Sequence, residues 1–160
     1  MNIIFVCHGN ICRSPVAEIL FNELVVLHHK EDKFSISSRA TSFEEIGNGI
    51  YYPMKQVLAK HNVIYKPHTA SRITKTEFDA ADYIFYMDKN NLYYLIHLFG
   101  ESKKFHLISE FGDKKEVEDP WYTGRFEYVY QQIKIYCKQI YEKMPESNQS
   151  SFKINLKIIF

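Results

Sequence analysis

The sequence predicts an α/β fold of three layers: a four-stranded parallel sheet with helices on both faces. Two observations carry this. Four short runs, at 2–7, 34–38, 83–87 and 104–108, are apolar or alternate as strands do, and segments with helical spacing lie between them. Strands that alternate with helices need crossover connections, which pair the strands in parallel and cover both faces of the sheet. A third observation orients the molecule. The first strand ends on Cys7 and runs into a polar loop and a helix start. In such folds ligands bind beyond the carboxyl ends of the strands, where the strand order reverses.

Each element has its own signal. "NIIFVC" (2–7) is a compact, β-rich apolar run. Ser14-Pro15 follows, a favoured N-cap before a favoured first helical residue. Val16, Ile19, Leu20, Leu24 and Leu27 then recur at helical spacing, so a helix is expected over 15–29. "FSISS" (34–38) alternates as a second strand. "TSFEEIGNGIYYP" (41–53), with two glycines and a proline, reads as a loop. A short helix is expected over 53–62 and an extended segment over 63–68. "TKTEFDAAD" (74–82) reads as a short capped helix, and "YIFYM" (83–87) as a buried strand. Asp88 opens a helix that Gly100 closes. "KFHLI" (104–108) is the last strand. A loop containing "KKEVEDPWYTG" (114–124) leads to an aromatic-rich amphipathic helix over 125–143, in which Cys137 is expected in the core.

The 160 residues suit one domain, assigned to 1–144. A tail over 145–160 follows. Its Ser/Asn/Gln stretch reads as a linker, and "FKINLKIIF" alternates like a strand or an edge addition. The formal net charge of +1 gives no broad basic surface, which argues against nucleic acid as a partner. No apolar run approaches the roughly 20 residues of a membrane helix. The N-terminus has no basic residue before its short apolar run, so it reads as a strand rather than an export signal. Three cysteines are too few for a disulfide scaffold. A reducing cytoplasm with free thiols is the expectation. The sequence does not fix an oligomeric state.

The chemistry concentrates in "VCHGNICRSPVAE" (6–18). Cys7 and Arg13 stand five residues apart, with His8, Gly9, Asn10, Ile11 and Cys12 between them. A loop that leaves a strand and enters a helix turns successive N–H groups inward, and with the helix N-terminus these form an anion cradle. Gly9 allows backbone conformations that other residues resist. Arg13 offers a planar fork to a phosphate. The same positive field favours thiolate over thiol at Cys7, which makes sense as a nucleophile toward phosphorus. The bland alternative is a strand-end cysteine and a solvated arginine. The strand before, the helix start after and the glycine inside all weigh against it. A zinc site at Cys7, His8 and Cys12 lacks a second ligand pair at sensible spacing, and no metal or cofactor is expected.

The motif V-C-x-G-N-x-C-R-S-P resembles the signature of the low-molecular-weight protein tyrosine phosphatases. "DPWY" (119–122) resembles the family's Asp-Pro-aromatic-Tyr loop, and "SRITKTEFDAADYIFYMDKNNL" (71–92) resembles its middle region. The similarity covers residues 2–143. It implies metal-free hydrolysis of phosphotyrosine through a cysteinyl-phosphate, phosphotyrosine proteins as substrates, and inorganic phosphate as product and inhibitor. By resemblance Cys7 is the nucleophile, Arg13 the transition-state clamp and Ser14 the hydroxyl that stabilises the thiolate. Asn10 is the strained loop asparagine, and His68 the histidine that hydrogen-bonds it. Asp119 resembles the general acid, since an aryl-oxide leaving group needs a proton as the P–O bond breaks. Pro120 stiffens its loop, Trp121 and Tyr122 wall an aryl pocket, and Glu116 and Glu118 are expected to raise its pKa.

Two features depart from the family pattern. Trp121 stands where relatives often carry tyrosine, so a regulatory mark there is absent. Glu44 and Glu45 occupy the rim position where relatives often place an aromatic, with Phe43 beside them. A thiol-based arsenate reductase with this fold needs a resolving cysteine pair near the fourth strand, and "DYIFYMDKNN" has none. A binding module that has lost its chemistry is expected to lack the nucleophile or the acid, yet Cys7, Arg13 and Asp119 are all present.

Overall fold

The structure, a computed structural model, describes residues 1–147. Strands β1 (Asn2–Cys7), β2 (Ser35–Ala40), β3 (Tyr83–Tyr86) and β4 (Phe105–Leu107) form one parallel sheet in the order β2-β1-β3-β4. Between and after them come α1 (Arg13–Leu27), α2 (Tyr52–Lys60), α3 (Lys75–Ala80), α4 (Lys89–Phe99), α5 (Pro120–Thr123) and α6 (Phe126–Lys143). The chain passes from β1 to β2 on one side and then crosses back over β1 to β3 on the other. The strand order therefore reverses at the carboxyl end of β1, which is where a ligand crevice opens in such sheets.

The period-2 alternation of β1 divides the core. Ile3, Phe5 and Cys7 face a cluster built with α1, α2 and α6, while Ile4 and Val6 face a second cluster with Phe78 of α3 and Leu95 of α4. Burying each such side chain is worth about 1.5–3 kcal/mol, so a strand apolar on both faces belongs in the middle of the sheet. Phe5 stacks on Phe85 of β3 and meets Phe21 of α1, which ties two layers together. Cys137 is fully buried in the first cluster, as expected.

Several boundaries moved. Helix α1 begins at Arg13, two residues before the expected start. Ser14 is not its cap: the N-cap is Cys12, which makes no side-chain capping bond, and the Ser14 hydroxyl turns to Cys7. Strand β2 runs on to Ala40 because it stays in register with β1 up to the pair Cys7–Ala40. Residues 63–68 form no regular element. The loop expected over 114–124 contains the one-turn helix α5, capped by Asp119. Thr74 and Asp88 cap α3 and α4 with reciprocal bonds to Glu77 and Asn91. Gly100 closes α4 at φ 79°, a left-handed value that suits glycine. Pro145–Ser147 make a single 3-10 turn. The linker and strand expected in the tail fall largely outside the described residues.

Candidate active site

The loop between β1 and α1 is held open from outside. The carbonyl of Cys7 accepts from Thr41 N and that of His8 from Ser42 N and Oγ. The carbonyl of Asn10 accepts from His68 Nε2 at 2.7 Å and that of Ile11 from Tyr51 N at 2.9 Å. In a planar trans peptide the C=O and the N–H point opposite ways. Carbonyls turned outward therefore turn the N–H groups of His8, Gly9, Ile11 and Cys12 toward the inside of the loop. Asn10 makes the bend. It sits at φ 59°, a left-handed conformation that few residues other than glycine and asparagine adopt.

Cys7 lies at the centre of this cradle. Its Sγ accepts from Asn10 N at 3.3 Å and Ser14 N at 3.4 Å, and the Ser14 hydroxyl lies 3.0 Å away. Asn10, fully buried, donates Nδ2 to Ser14 Oγ (2.8 Å) and to Ser38 Oγ (3.0 Å), while its Oδ1 accepts from Ser71 N (3.2 Å). The Cys12 thiol is buried beside it. Burial and the neighbouring Cys7 both push its pKa up, so Cys12 stays a thiol.

Arg13 comes from the first turn of α1 and is only 2% exposed. Its Nη1 donates to Asp88 Oδ2 at 2.6 Å and to the Val117 carbonyl at 3.0 Å, and its Nη2 reaches Asp119 Oδ2 at 3.4 Å. Burial works against its charge, but Cys7, Asp88 and Asp119 together outweigh it and hold the guanidinium above its ordinary pKa. Asp119 is fixed from the other side, its Oδ1 accepting from Trp121 N at 3.0 Å. Glu116 and Glu118, expected beside Asp119, are committed elsewhere. Glu116 accepts from Lys89 N, and Glu118 pairs with Arg125, which lowers its own pKa. The charged neighbour of Asp119 is Arg13 instead.

Cys7, Arg13, Asp119 and the loop between the first two line a pocket of about 130 Å³ together with Glu44, Glu45, Trp121 and Tyr122. Trp121 leans on Tyr51, with ring centroids 4.7 Å apart, and Tyr122 stands 84% exposed at the mouth. On the opposite rim Glu44 accepts from His8 Nε2 at 2.9 Å, and Glu45 is held by Asn48 at 2.7 Å. Phe43 turns away and lies under Arg72, 3.8 Å from its guanidinium carbon. All twelve residues singled out in the sequence therefore lie in the loop, against it or around the pocket. The sequence reading missed Asp88 as the partner of Arg13, having read it only as a helix start. Its place at the carboxyl end of β3, next to β1, was the available signal. Ser38, Ser71 and Glu18 carried no local signal, because only the tertiary fold brings the two serines to Asn10 and Glu18 to Ser38.

A strand-end cysteine inside an amide cradle, a buried arginine fork and a nearby carboxylic acid define a class: the α/β phosphatases built on a Cys-x5-Arg loop. Comparison with known proteins narrows this. Residues 2–150 match the family model described as low molecular weight phosphotyrosine protein phosphatase. A mouse protein of that name is 40% identical over 150 residues, 89% of this chain and 94% of its own length. The low molecular weight protein-tyrosine-phosphatase YfkJ of Bacillus subtilis is 32% identical over 154 residues, 93% of this chain and 99% of its own. Its crystal structure superposes with a TM-score of 0.87 over 93% of this chain and 97% of that one, at 30% identity. The crystal structure of the low molecular weight protein tyrosine phosphatase SP-PTP of Streptococcus pyogenes gives 0.78 at 34% identity, over 96% and 97% of the two chains. The chain belongs to the low molecular weight phosphotyrosine protein phosphatase family.

Proposed function

We propose that this enzyme hydrolyses phosphotyrosine in proteins, and small aryl phosphates, through a phosphate ester of Cys7. The observation that carries the reading is the Cys7 sulfur at the focus of two backbone N–H groups and the Ser14 hydroxyl, with the Arg13 guanidinium beside it. The phosphoryl group enters the cradle, where inward N–H groups and Arg13 neutralise its oxygens. The Cys7 thiolate attacks phosphorus opposite the aryl oxygen. The S–P bond forms as the P–O bond breaks, and Asp119 delivers a proton to the departing phenoxide. Water then attacks the cysteinyl-phosphate, giving a proton to Asp119, and phosphate leaves. Arg13 supplies the positive charge throughout, so no metal or cofactor is called for. Turnover of p-nitrophenyl phosphate that persists in excess chelator is the test, and loss of activity on chelation overturns the reading. No helix among the described residues is long and apolar enough to cross a membrane. The need for a reduced Cys7 favours the cytoplasm as its location.

The rim bears on substrate choice. Glu44 and Glu45 stand at the mouth of a pocket that must accept a dianion. Exposed charge pairs are worth about 0.2–1 kcal/mol each, so the two carboxylates together penalise acidic flanking residues in a substrate. Changing both to glutamine is expected to raise kcat/KM toward a phosphotyrosine peptide with acidic flanks by about threefold to tenfold. Turnover of p-nitrophenyl phosphate is expected to stay within about twofold. Equal changes on acidic and neutral peptides overturn this role.

Cys12 is read as the guard of Cys7. Peroxide converts the Cys7 thiolate to a sulfenic acid, and the Cys12 thiol then displaces water to form a disulfide. Two equivalents of a cellular thiol return both cysteines to the reduced state. Protonated at rest, Cys12 does not compete for phosphorus. Mild peroxide is expected to inactivate the enzyme reversibly, with protection by phosphate. Cys12→Ser is expected to retain most activity yet recover poorly after oxidation and reduction. Peptide mapping should find Cys7 joined to Cys12 and not to the buried Cys137. Recovery of the Cys12 variant equal to wild type, with only sulfinic acid at Cys7, assigns Cys12 to packing.

A further inference from the structure

The carboxylate of Glu18, on α1, lies outside the pocket, yet a chain of hydrogen bonds joins it to the nucleophile. Ser38 Oγ donates to Glu18 Oε2 at 2.8 Å. Asn10 Nδ2 donates to Ser38 Oγ at 3.0 Å and to Ser14 Oγ at 2.8 Å, and Ser14 Oγ meets Cys7 Sγ at 3.0 Å. We propose that Glu18 is a positioning residue for the nucleophile: it fixes the Ser38 hydroxyl as an acceptor, hence the side-chain amide of Asn10, hence the Ser14 hydroxyl as a donor to Cys7.

The hydrogens available to each group fix the direction of every bond in the chain. A hydroxyl carries one hydrogen, and a primary amide carries two on its nitrogen. The Ser38 hydrogen goes to the carboxylate, so Ser38 offers Asn10 only lone pairs. Both amide hydrogens of Asn10 are then used, one on each serine, and Oδ1 takes the N–H of Ser71. Ser14 Oγ accepts from Asn10 and is left with its own hydrogen. Cys7 Sγ lies 3.0 Å away, and the competing Arg39 carbonyl is farther at 3.5 Å. Without Glu18 the Ser38 hydrogen is free to turn on Asn10. A flipped amide answers that turn, but it breaks the Ser71 bond and presents Oδ1 to Ser14. The Ser14 hydrogen then points at Asn10, and the sulfur loses its hydroxyl donor. Burial raises the Glu18 pKa, opposed by the Ser38 bond, His68 and Arg39.

The proposal rests on Cys7 as nucleophile, and its test separates the two. Glu18→Met keeps the bulk and removes the acceptor. It is expected to lower kcat for p-nitrophenyl phosphate about threefold to tenfold with KM within twofold. The rate of Cys7 alkylation by iodoacetate at pH 6 should fall by a similar factor. Glu18→Gln restores both to within twofold, because its carbonyl oxygen still accepts from Ser38. Ser38→Ala removes the hydrogen that would turn on Asn10, so in that background Glu18→Met is expected to cost no more than about twofold, as members of one chain require. Should the Met variant melt far below wild type, the double variant against Ser38→Ala carries the comparison. Wild-type rates in Glu18→Met, a Met loss as large in the Ser38→Ala background as alone, or a Gln variant as impaired as Met overturn the role. Alkylation does not depend on turnover. Activity surviving in Cys7→Ser therefore removes the nucleophile reading, while the alkylation series still reports on Glu18.

Discussion

Replacing Cys7 with serine is expected to abolish turnover, by about a thousandfold or more, as removal of a nucleophile does elsewhere. Phosphate and vanadate are expected to bind nearly as well as before. The two outcomes separate because the cradle and the nucleophile are made by different groups. The inward N–H groups are fixed by Thr41, Ser42, Tyr51 and His68, which hold the carbonyls outward and do not touch the sulfur. A serine hydroxyl fits the same place but is rarely ionised near neutrality, so it fills the cradle without attacking. Steady-state kinetics with p-nitrophenyl phosphate and a vanadate titration check both halves. Activity within tenfold of wild type removes the covalent mechanism. Loss of vanadate binding means that the sulfur itself holds the loop open. Arg13→Lys is expected to fail alongside it. One ammonium cannot face Asp88, the Val117 carbonyl and Asp119 in the plane that the guanidinium spans.

Asp119→Ala has the second largest expected effect, and its size depends on the leaving group. General-acid catalysis contributes about 10²–10⁴ where the departing oxygen is basic. On phenyl phosphate the loss in kcat/KM is expected at the upper part of that range. On p-nitrophenyl phosphate, whose phenoxide leaves with little protonation, it should be several times to tenfold. A plot of log kcat/KM against leaving-group pKa is therefore steeper for the variant than for wild type. Parallel lines reject Asp119 as the donor. The quantity to plot is kcat/KM, because it reports the first chemical step, whereas kcat also contains hydrolysis of the intermediate, in which Asp119 takes a proton back. Position supports this role: Asp119 caps α5, which anchors one oxygen on Trp121 N and leaves the other on the pocket side with Arg13.

The sequence made the scaffold legible where local pattern and tertiary demand agree. Strand β1 is apolar on both faces because it is central, and that shows as an uninterrupted run. Asp88 and Thr74 cap their helices through bonds to residues three positions on, which a local pattern can show. It misled where the site overrode local preference. Ser14-Pro15 has the form of a helix start, yet the helix begins earlier and the serine serves Cys7, because the loop must close directly onto the first turn. Glu116 and Glu118 are neighbours of Asp119 in sequence only, since backbone geometry sends their carboxylates to Lys89 and Arg125. Ser38 and Ser71 reach Asn10 across 28 and 61 positions, and Glu18 reaches Ser38 across 20, separations no local pattern encodes.

The left-handed backbone of Asn10 narrows what evolution can write at that position. Its φ of 59° admits glycine, asparagine and aspartate at modest cost. Its side chain must give two hydrogens, to Ser14 and Ser38, and take one, from Ser71. Only the primary amides of asparagine and glutamine do both. Glycine meets the first demand and gives up all three bonds. Aspartate meets the backbone demand but offers no hydrogens, and glutamine offers them on a stem one methylene longer from a backbone it resists. The two requirements intersect in a single amino acid. Any other residue at position 10 gives up either the left-handed turn or part of the bonding that holds Ser14 and Ser38, so the geometry of the loop tolerates no conservative replacement there.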